Sequence, residues 1–170
     1  MSPFPRLLGL EREQQVEVLL VTGQRILQCP LEFRIAFFAG DLRAVLRHRV
    51  LVEGDLVEDE VRAAVSNLVD NAVRYSGNNV KVKVETGSIH GRDVFVRVHD
   101  EGAGIAKTEL KQIFKRFYRA RGPAAPRVPG TGLGLYIVRS VAKRHGGRAW
   151  AESEGPGRGS TFVLQLPISR

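Results

Sequence analysis

Apolar and polar positions alternate strictly in one part of the chain and recur every three to four residues in others. Val80, Val82 and Val84 are interleaved with Lys81, Lys83 and Glu85, and Val94, Val96 and Val98 repeat the pattern. A period of two predicts strands with one wet face, joined as a hairpin through a turn at Gly87 to Gly91. Val61, Val65, Leu68, Val69 and Ala72 instead keep helical spacing, so a helix is predicted from Asp55 to about Tyr75. Asp55 with Glu58 forms its capping pair, and Ser76-Gly77-Asn78-Asn79 stops it. A second helix is predicted from Leu133 to His145, with Leu133, Ile137, Val138 and Val141 inward and Gly146-Gly147 as its end. Ala149 to Glu152 and Thr161 to Leu166 make a closing hairpin across Gly155-Pro156-Gly157-Arg158-Gly159. Thr108 opens a short helix, and the proline- and arginine-rich stretch from Arg119 to Gly130 reads as a loop. Near the N-terminus, Glu13 to Leu27 reads as a helix with Val16, Leu19, Leu20 and Gly23 on one face, and Leu31 to Phe38 as a strand. Helices interleaved with strands, without βαβ repetition, predict a two-layer α/β sandwich on a mixed, mostly antiparallel sheet.

Length and charge narrow this picture. The chain has 170 residues, 43% of them hydrophobic, enough for one domain with a real core. Residues 51–170 hold the readable patterning. Residues 1–50 form a segment of unclear structure that is a candidate for docking a partner. A formal charge of +8 admits nucleic acid as a partner. The basic residues are scattered and no nucleic-acid module signature accompanies them, which favours phosphate binding, solubility or an acidic partner instead. Cys29 is the single cysteine, which excludes an intramolecular disulfide and fits a reducing compartment. No apolar run approaches the ~20 residues of a membrane span, and no secretory h-region is present at the N-terminus. A cytoplasmic protein is the expectation.

Four short motifs then follow in order: Asn67-Leu68-Val69-Asp70-Asn71-Ala72, Asp100-Glu101-Gly102-Ala103-Gly104-Ile105, Ile113-Phe114-Lys115-Arg116-Phe117-Tyr118-Arg119 and Gly130-Thr131-Gly132-Leu133-Gly134-Leu135. Asn67 and Asn71, four apart on a helix, present neutral amide oxygens on one face. Such ligands suit Mg²⁺, which takes few protein donors beside phosphate oxygens and water. Arg74 falls near the same face within reach of a phosphate, and Tyr75 at the helix end can lie against a base. Asp100 closes a strand just before Gly102 and Gly104. Its carboxylate can accept from an exocyclic amine, which adenine offers and guanine does not present at that place. Gly130, Thr131, Gly132, Leu133 and Gly134 open the second helix, where uncovered N–H groups form an anion site. This is neither a P-loop nor a dinucleotide fingerprint, since no Lys-Ser or Lys-Thr follows and no strand precedes. Phe114 and Phe117 are read as pins for the root of the loop, with core packing an equal alternative. Of Arg119, Arg121 and Arg127, Arg119 is the candidate to neutralise a terminal phosphate. Together the motifs predict an ATP site.

The order of these motifs resembles the N, G1, F and G2 boxes of the GHKL superfamily, and most closely the catalytic ATP-binding domain of sensor histidine kinases. The resemblance covers roughly residues 50 to 168. It extends into Arg144-His145-Gly146-Gly147-Arg148-Ala149-Trp150-Ala151-Glu152-Ser153 and Gly159-Ser160-Thr161-Phe162-Val163-Leu164-Gln165-Leu166-Pro167. It implies a Bergerat α/β sandwich with an ATP lid over residues 119–131. It also implies Mg²⁺ ligation by Asn71 with Asn67 beside it, and adenine held by Tyr75 and Asp100 with Ser160 nearby. Arg119 would lie on the γ-phosphate, and Arg74 stands where the family commonly has lysine, an inequivalent exchange.

Two departures refine the expectation. The gyrase, chaperone and mismatch-repair ATPases, and the anti-sigma serine kinases, carry a glutamate where this chain has Asn67. An amide cannot serve as a general base, so transfer to histidine is favoured over hydrolysis or serine phosphorylation. The histidines are His48, His90, His99 and His145, and none lies in the H-box context of an acceptor. The resemblance therefore implies a catalytic domain acting in trans on a histidine-bearing partner, and through it on a response regulator. A split kinase is favoured over an excised domain. The alternatives are a GHKL module that senses ATP without phosphotransfer, and a basic nucleic-acid-binding protein.

Overall fold

The computed structural model describes residues 16–22, 25–29, 55–76, 80–89, 92–120 and 130–168, with side chains from Asp59 onward. In chain order the elements are β1 (Val16–Thr22), β2 (Arg25–Cys29), α1 (Asp55–Tyr75), β3 (Val80–Ile89), β4 (Asp93–Asp100), α2 (Gly134–Arg144), β5 (Arg148–Glu152) and β6 (Ser160–Pro167). Among the described residues the strands form one six-stranded sheet in the order β2-β1-β3-β4-β6-β5. β1 runs parallel to β3 and every other neighbouring pair is antiparallel. Both helices pack on the sheet and against each other. The result is the two-layer α/β sandwich with a mixed, mostly antiparallel sheet.

The register explains where the core sits. Val84, Val98, Phe162 and Ala151 form one row across β3, β4, β6 and β5, and Val96, Leu164 and Ala149 continue the next row on the same face. Because successive strand side chains point to opposite faces, these rows meet the helices. Lys83, His99 and Thr161 share the other face, where the His99 and Thr161 side chains hydrogen-bond at 2.9 Å. On α1, Val61, Ala64, Val65, Leu68, Val69, Ala72 and Val73 are all buried. Their steps of three and four draw a single stripe onto the sheet. Ser76 ends the helix, its hydroxyl donating to the Ala72 carbonyl at 2.6 Å. α1 and α2 run in opposite senses: Glu60 pairs with Arg144 and His145 at one end, and Asn67 lies against Gly134 at the other.

Four expectations change. Residues 16–22 and 25–29 pair as the antiparallel strands β1 and β2, with Thr22 facing Arg25, rather than forming a helix. Val16, Val18 and Val21 are β-branched and fit a pleated surface, and β3 supplies a parallel neighbour that no local pattern announces. The β3–β4 turn falls later than Gly87, since Gly87, Ser88 and Ile89 pair with Phe95, Val94 and Asp93. The Arg92 N–H then closes the turn on the Ile89 carbonyl at 3.0 Å. The segment after Thr108 is a run of consecutive turns closed mainly by i→i+3 bonds, not a regular helix. On α2, Val138, Val141 and Ala142 are buried, but Ile137 is exposed. The strand expected over Leu31 to Phe38 and the Asp55–Glu58 capping pair lie outside the described residues and side chains. Among the described residues no helix is long and apolar enough to cross a membrane.

Candidate functional site

One end of the site is built around a buried acid. Asp100 is the last residue of β4, 1% exposed, and faces Ser160, the buried first residue of β6. Its Oδ1 accepts the Gly102 N–H at 2.9 Å. Burial pushes the Asp100 carboxyl above its ordinary range, opposed by backbone N–H donors of Gly102 and Ser160 and by His99. A carboxylate so placed has lone pairs left over and no solvent to spend them on, the condition for selecting a ligand amine.

The chain reaches this position through backbone contacts too close for side chains. A Cβ on Gly102 would lie 2.2 Å from the Tyr75 carbonyl oxygen, and the Ala103 N–H donates to that same oxygen at 2.9 Å. The C-terminal end of α1 is thereby fastened to the loop after β4. Gly104 has φ +66, and a Cβ there would lie 2.1 Å from the Gly155 carbonyl oxygen. Glycine is the residue that accepts both conditions at low cost. The Tyr75 carbonyl, Gly102, Gly104 and Ile105 thus gather near Asp100 and Ser160.

The other end lies along α1 and the start of α2. Asn67 and Asn71 are half-buried on the flank of the apolar stripe. The Asn67 Nδ2 donates to the Ala63 carbonyl at 2.8 Å, and its Oδ1 would stand 2.9 Å from a Cβ on Gly134. Helix α2 begins with Leu133 at the cap position and has no side-chain cap and no acidic residue in its first turn. The first N–H groups of such a helix lack internal partners and carry the positive end of its dipole. Asn71, one turn beyond Asn67, brings a second amide to the same side. Arg74 is exposed on the last turn of α1, and Arg119 and Thr131 are exposed where the chain leaves and re-enters the described residues. Arg121 and Arg127 lie outside them. Among the described residues no cluster of three or more His, Cys, Asp or Glu is present. The donors at this end are amide oxygens, which fit Mg²⁺ where phosphate oxygens complete its shell.

The two phenylalanines part company. Phe114 belongs to the core, whereas Phe117 is 61% exposed with φ +61 and lies under the Arg116 guanidinium at 4.7 Å. The root of the loop is pinned by backbone instead: the Phe117 N–H donates to the Gly132 carbonyl at 3.0 Å, and Gly132 with φ +72 abuts the backbone of Phe117 and Tyr118. Two residues escaped the sequence reading. Asp70 is half-buried, its carboxyl pushed above the ordinary range by burial and pulled back by Arg74. Its i,i+4 spacing to Arg74 was the available signal. Ser153 bonds the glycine loop through its hydroxyl, and no local pattern marks it.

Comparison with known proteins agrees with this geometry. Residues 56–170 match the family described as histidine kinase-, DNA gyrase B- and HSP90-like ATPase. The sensor-like histidine kinase SenX3 of Mycolicibacterium smegmatis is 42% identical over 106 residues, 61% of this chain and 27% of that protein. The sensor histidine kinase WalK of Bacillus subtilis is 34% identical over 115 residues, 66% of this chain and 18% of that protein. The matched segment therefore spans little more than a quarter of these relatives at most. Among solved structures, the mycobacterial sensor histidine kinase MprB superposes with TM-score 0.63 at 28% identity, covering 81% of this chain and 95% of that one. The catalytic domain of histidine kinase ThkA gives TM-score 0.58 at 25% identity, covering 82% and 95%. A buried acid and a glycine loop at one end, paired amides beside an uncapped helix at the other, and a match over residues 56–170 place this chain in the histidine kinase-, DNA gyrase B- and HSP90-like ATPase family, as a homologue of sensor histidine kinases.

Proposed function

We propose that this chain is the catalytic part of a Mg²⁺-ATP-dependent protein-histidine kinase, passing the γ-phosphoryl group to a histidine on a separate polypeptide in a cytoplasmic two-component system. A response regulator would be the next acceptor. The observation that carries this reading is the neutral Asn67 amide set against Gly134 at the start of α2. At that position an amide orients phosphate without activating water, so a nucleophile that needs no strong base is favoured.

In this reading Asp100 accepts the adenine amino group, Tyr75 covers the ring, and Ser160, Gly102, Gly104 and Ile105 shape the pocket. The N–H groups from Thr131 to Gly134 and the Arg74 and Arg119 guanidiniums meet the phosphates. Asn71, with Asn67 beside it, would hold Mg²⁺, which when bound neutralises phosphate charge. Catalysis then consists of positioning and charge neutralisation at the γ-phosphoryl.

The described histidines are poor acceptors. The His99 ring is bonded to Thr161 on the face of the sheet opposite Asp100 and the helices. His145 caps the C-terminal end of the 11-residue α2 and faces Glu60, about 16 Å from the helix start. With His48 and His90 outside the described residues, the placement of His99 and His145 supports an acceptor on another polypeptide. Incubation of the chain with γ-labelled ATP, Mg²⁺ and a purified histidine-bearing dimerisation protein should leave acid-labile label on that protein alone. Measurable ATP binding with label on neither would replace the kinase by an ATP-sensing module.

A further inference from the structure

Ser153 lies just past β5, at the end of the Arg144–Ser153 stretch and with no role assigned there, yet it sits at the junction of two loops. Its hydroxyl donates to the Gly159 carbonyl at 2.7 Å and accepts the Ile105 N–H at 3.0 Å and the Gly155 N–H at 3.3 Å. A serine hydroxyl has one hydrogen and two lone pairs, so all of its capacity is engaged. The same two loops are laced by backbone: the Gly157 N–H donates to the Ala103 carbonyl at 2.7 Å and the Gly159 N–H to the Gly102 carbonyl at 3.2 Å. Gly159 has φ +67, and a Cβ there would lie 2.1 Å from the Asp100 carbonyl oxygen. The turn over residues 153–159 is therefore the back wall of the loop that carries Gly102 and Gly104.

We propose that Ser153 is a positioning residue for the purine end of the site. Its hydroxyl holds the segment 102–105 against the 153–159 turn, so that the Gly102 N–H stays on Asp100 Oδ1. The remaining lone pairs of that carboxylate then keep one direction toward a base amine. The proposal rests on the adenine reading given above. It makes the β5–β6 connection, rather than the glycine loop alone, responsible for base affinity. Ser153→Ala removes an acceptor from the Ile105 N–H and a donor from the Gly159 carbonyl, and leaves the phosphate end untouched.

The test compares the full chain with Ser153→Ala and Ser153→Thr by calorimetric titration with Mg²⁺-ATP and with Mg²⁺-tripolyphosphate, which lacks a base. Amide hydrogen exchange at Ile105 is followed in parallel. The expected result is ATP binding about tenfold weaker in Ser153→Ala, unchanged tripolyphosphate binding, faster Ile105 exchange, and recovery in Ser153→Thr, which keeps the hydroxyl. Should Ser153→Ala fail to fold, Ser153→Cys carries the same comparison with a weaker donor and acceptor. Wild-type ATP affinity in the alanine variant, or equal weakening toward both ligands, overturns the proposal. Those outcomes strike Ser153 alone when Asp100→Asn still weakens ATP. If Asp100→Asn binds ATP as the wild type does, the adenine reading itself falls.

Discussion

The two ends of the proposed ATP site are made differently. At the purine end, Asp100 is buried, its Oδ1 is bonded, and the loop behind it donates to the Tyr75 carbonyl and the Ser153 hydroxyl and accepts from the Gly157 and Gly159 N–H groups. At the phosphate end, Thr131 and Arg119 are exposed, α2 has no side-chain cap, and among the described residues a Cβ on Gly130 would meet nothing within 4 Å. The first end is finished before a ligand arrives, whereas the second is left for the ligand to complete. Pre-formed polar groups select and bind a base, because a wrong base leaves them unpaired. Groups that gather around the transferring phosphoryl contribute mainly in the transition state. Substitutions at the purine end should therefore appear in affinity, and those at the phosphate end in the rate of transfer.

The sharpest test of that division is Asn71→Ala. Removing the amide proposed to hold Mg²⁺ should lower phosphotransfer about a thousandfold or more, while Mg²⁺-free ATP binding changes little. A parallel loss of Mg²⁺-free affinity would break the comparison, because Asn71 would then belong to the binding end. Next in size is Asp100→Asn. It replaces an acceptor with a donor facing the base amine and should weaken ATP about a hundredfold.

The same variant has a pH signature. Burial raises the Asp100 carboxyl above its ordinary value of about 3.9. The folded chain therefore binds that proton more tightly than the unfolded chain. The contribution of this group to stability is fullest below about 3.9 and is lost as pH rises from there through the folded value. Asp100→Asn does not titrate, so its Tm relative to wild type should rise across that window and then level off. A difference that stays flat with pH would mean that Asp100 is not desolvated in solution.

How much of this was legible depended on whether the cause was local. The α1 stripe from Val61 to Ala72 and the strands Val80–Val84 and Val94–Val98 were readable because burial on one face imposes a period the sequence displays. Asp100, Gly102 and Gly104 were readable because a strand end, an acid and two glycines are adjacent in the chain. The β1–β2 hairpin was not, since its pairing with β3 joins Val16 to Val80 across the whole of α1. Phe117 read as an apolar pin for the root of the loop, with core packing an equal alternative, yet it has a positive φ, its N–H bonds the Gly132 carbonyl, and its ring is exposed. Ser153 was invisible for the same reason as β1, because its partner Ile105 is 48 residues away.

Two glycines at opposite ends give finer tests. Gly104→Ala puts a Cβ into the Gly155 carbonyl at a φ of +66, and neither backbone can yield cheaply. ATP affinity should fall about tenfold and stability by about 2–3 kcal/mol. Gly134→Ala meets the Asn67 side chain, most closely its Oδ1 tip at 2.9 Å. Alanine also suits a helix better by about 0.8–1 kcal/mol. This variant should hold or raise Tm and keep its ATP affinity, yet slow transfer a few-fold as Asn67 is displaced. Lower Tm and lower affinity together would show that this end, too, is rigidly built.

The smallest expected effect is the most demanding of the comparison. Gly130→Ala adds a methyl that, among the described residues other than its chain neighbours, meets nothing within 4 Å. If the phosphate end is open and completed by the ligand, the variant should keep its Tm and ATP affinity within error and its transfer rate within about twofold. Glycine at this position would then serve to leave N–H groups uncovered, a role that one methyl disturbs little. A large loss of transfer with unchanged affinity would instead mean that the segment closes tightly over the phosphates in the transition state. The phosphate end would then be as exactingly packed as the purine end, but only while the phosphoryl group is in flight.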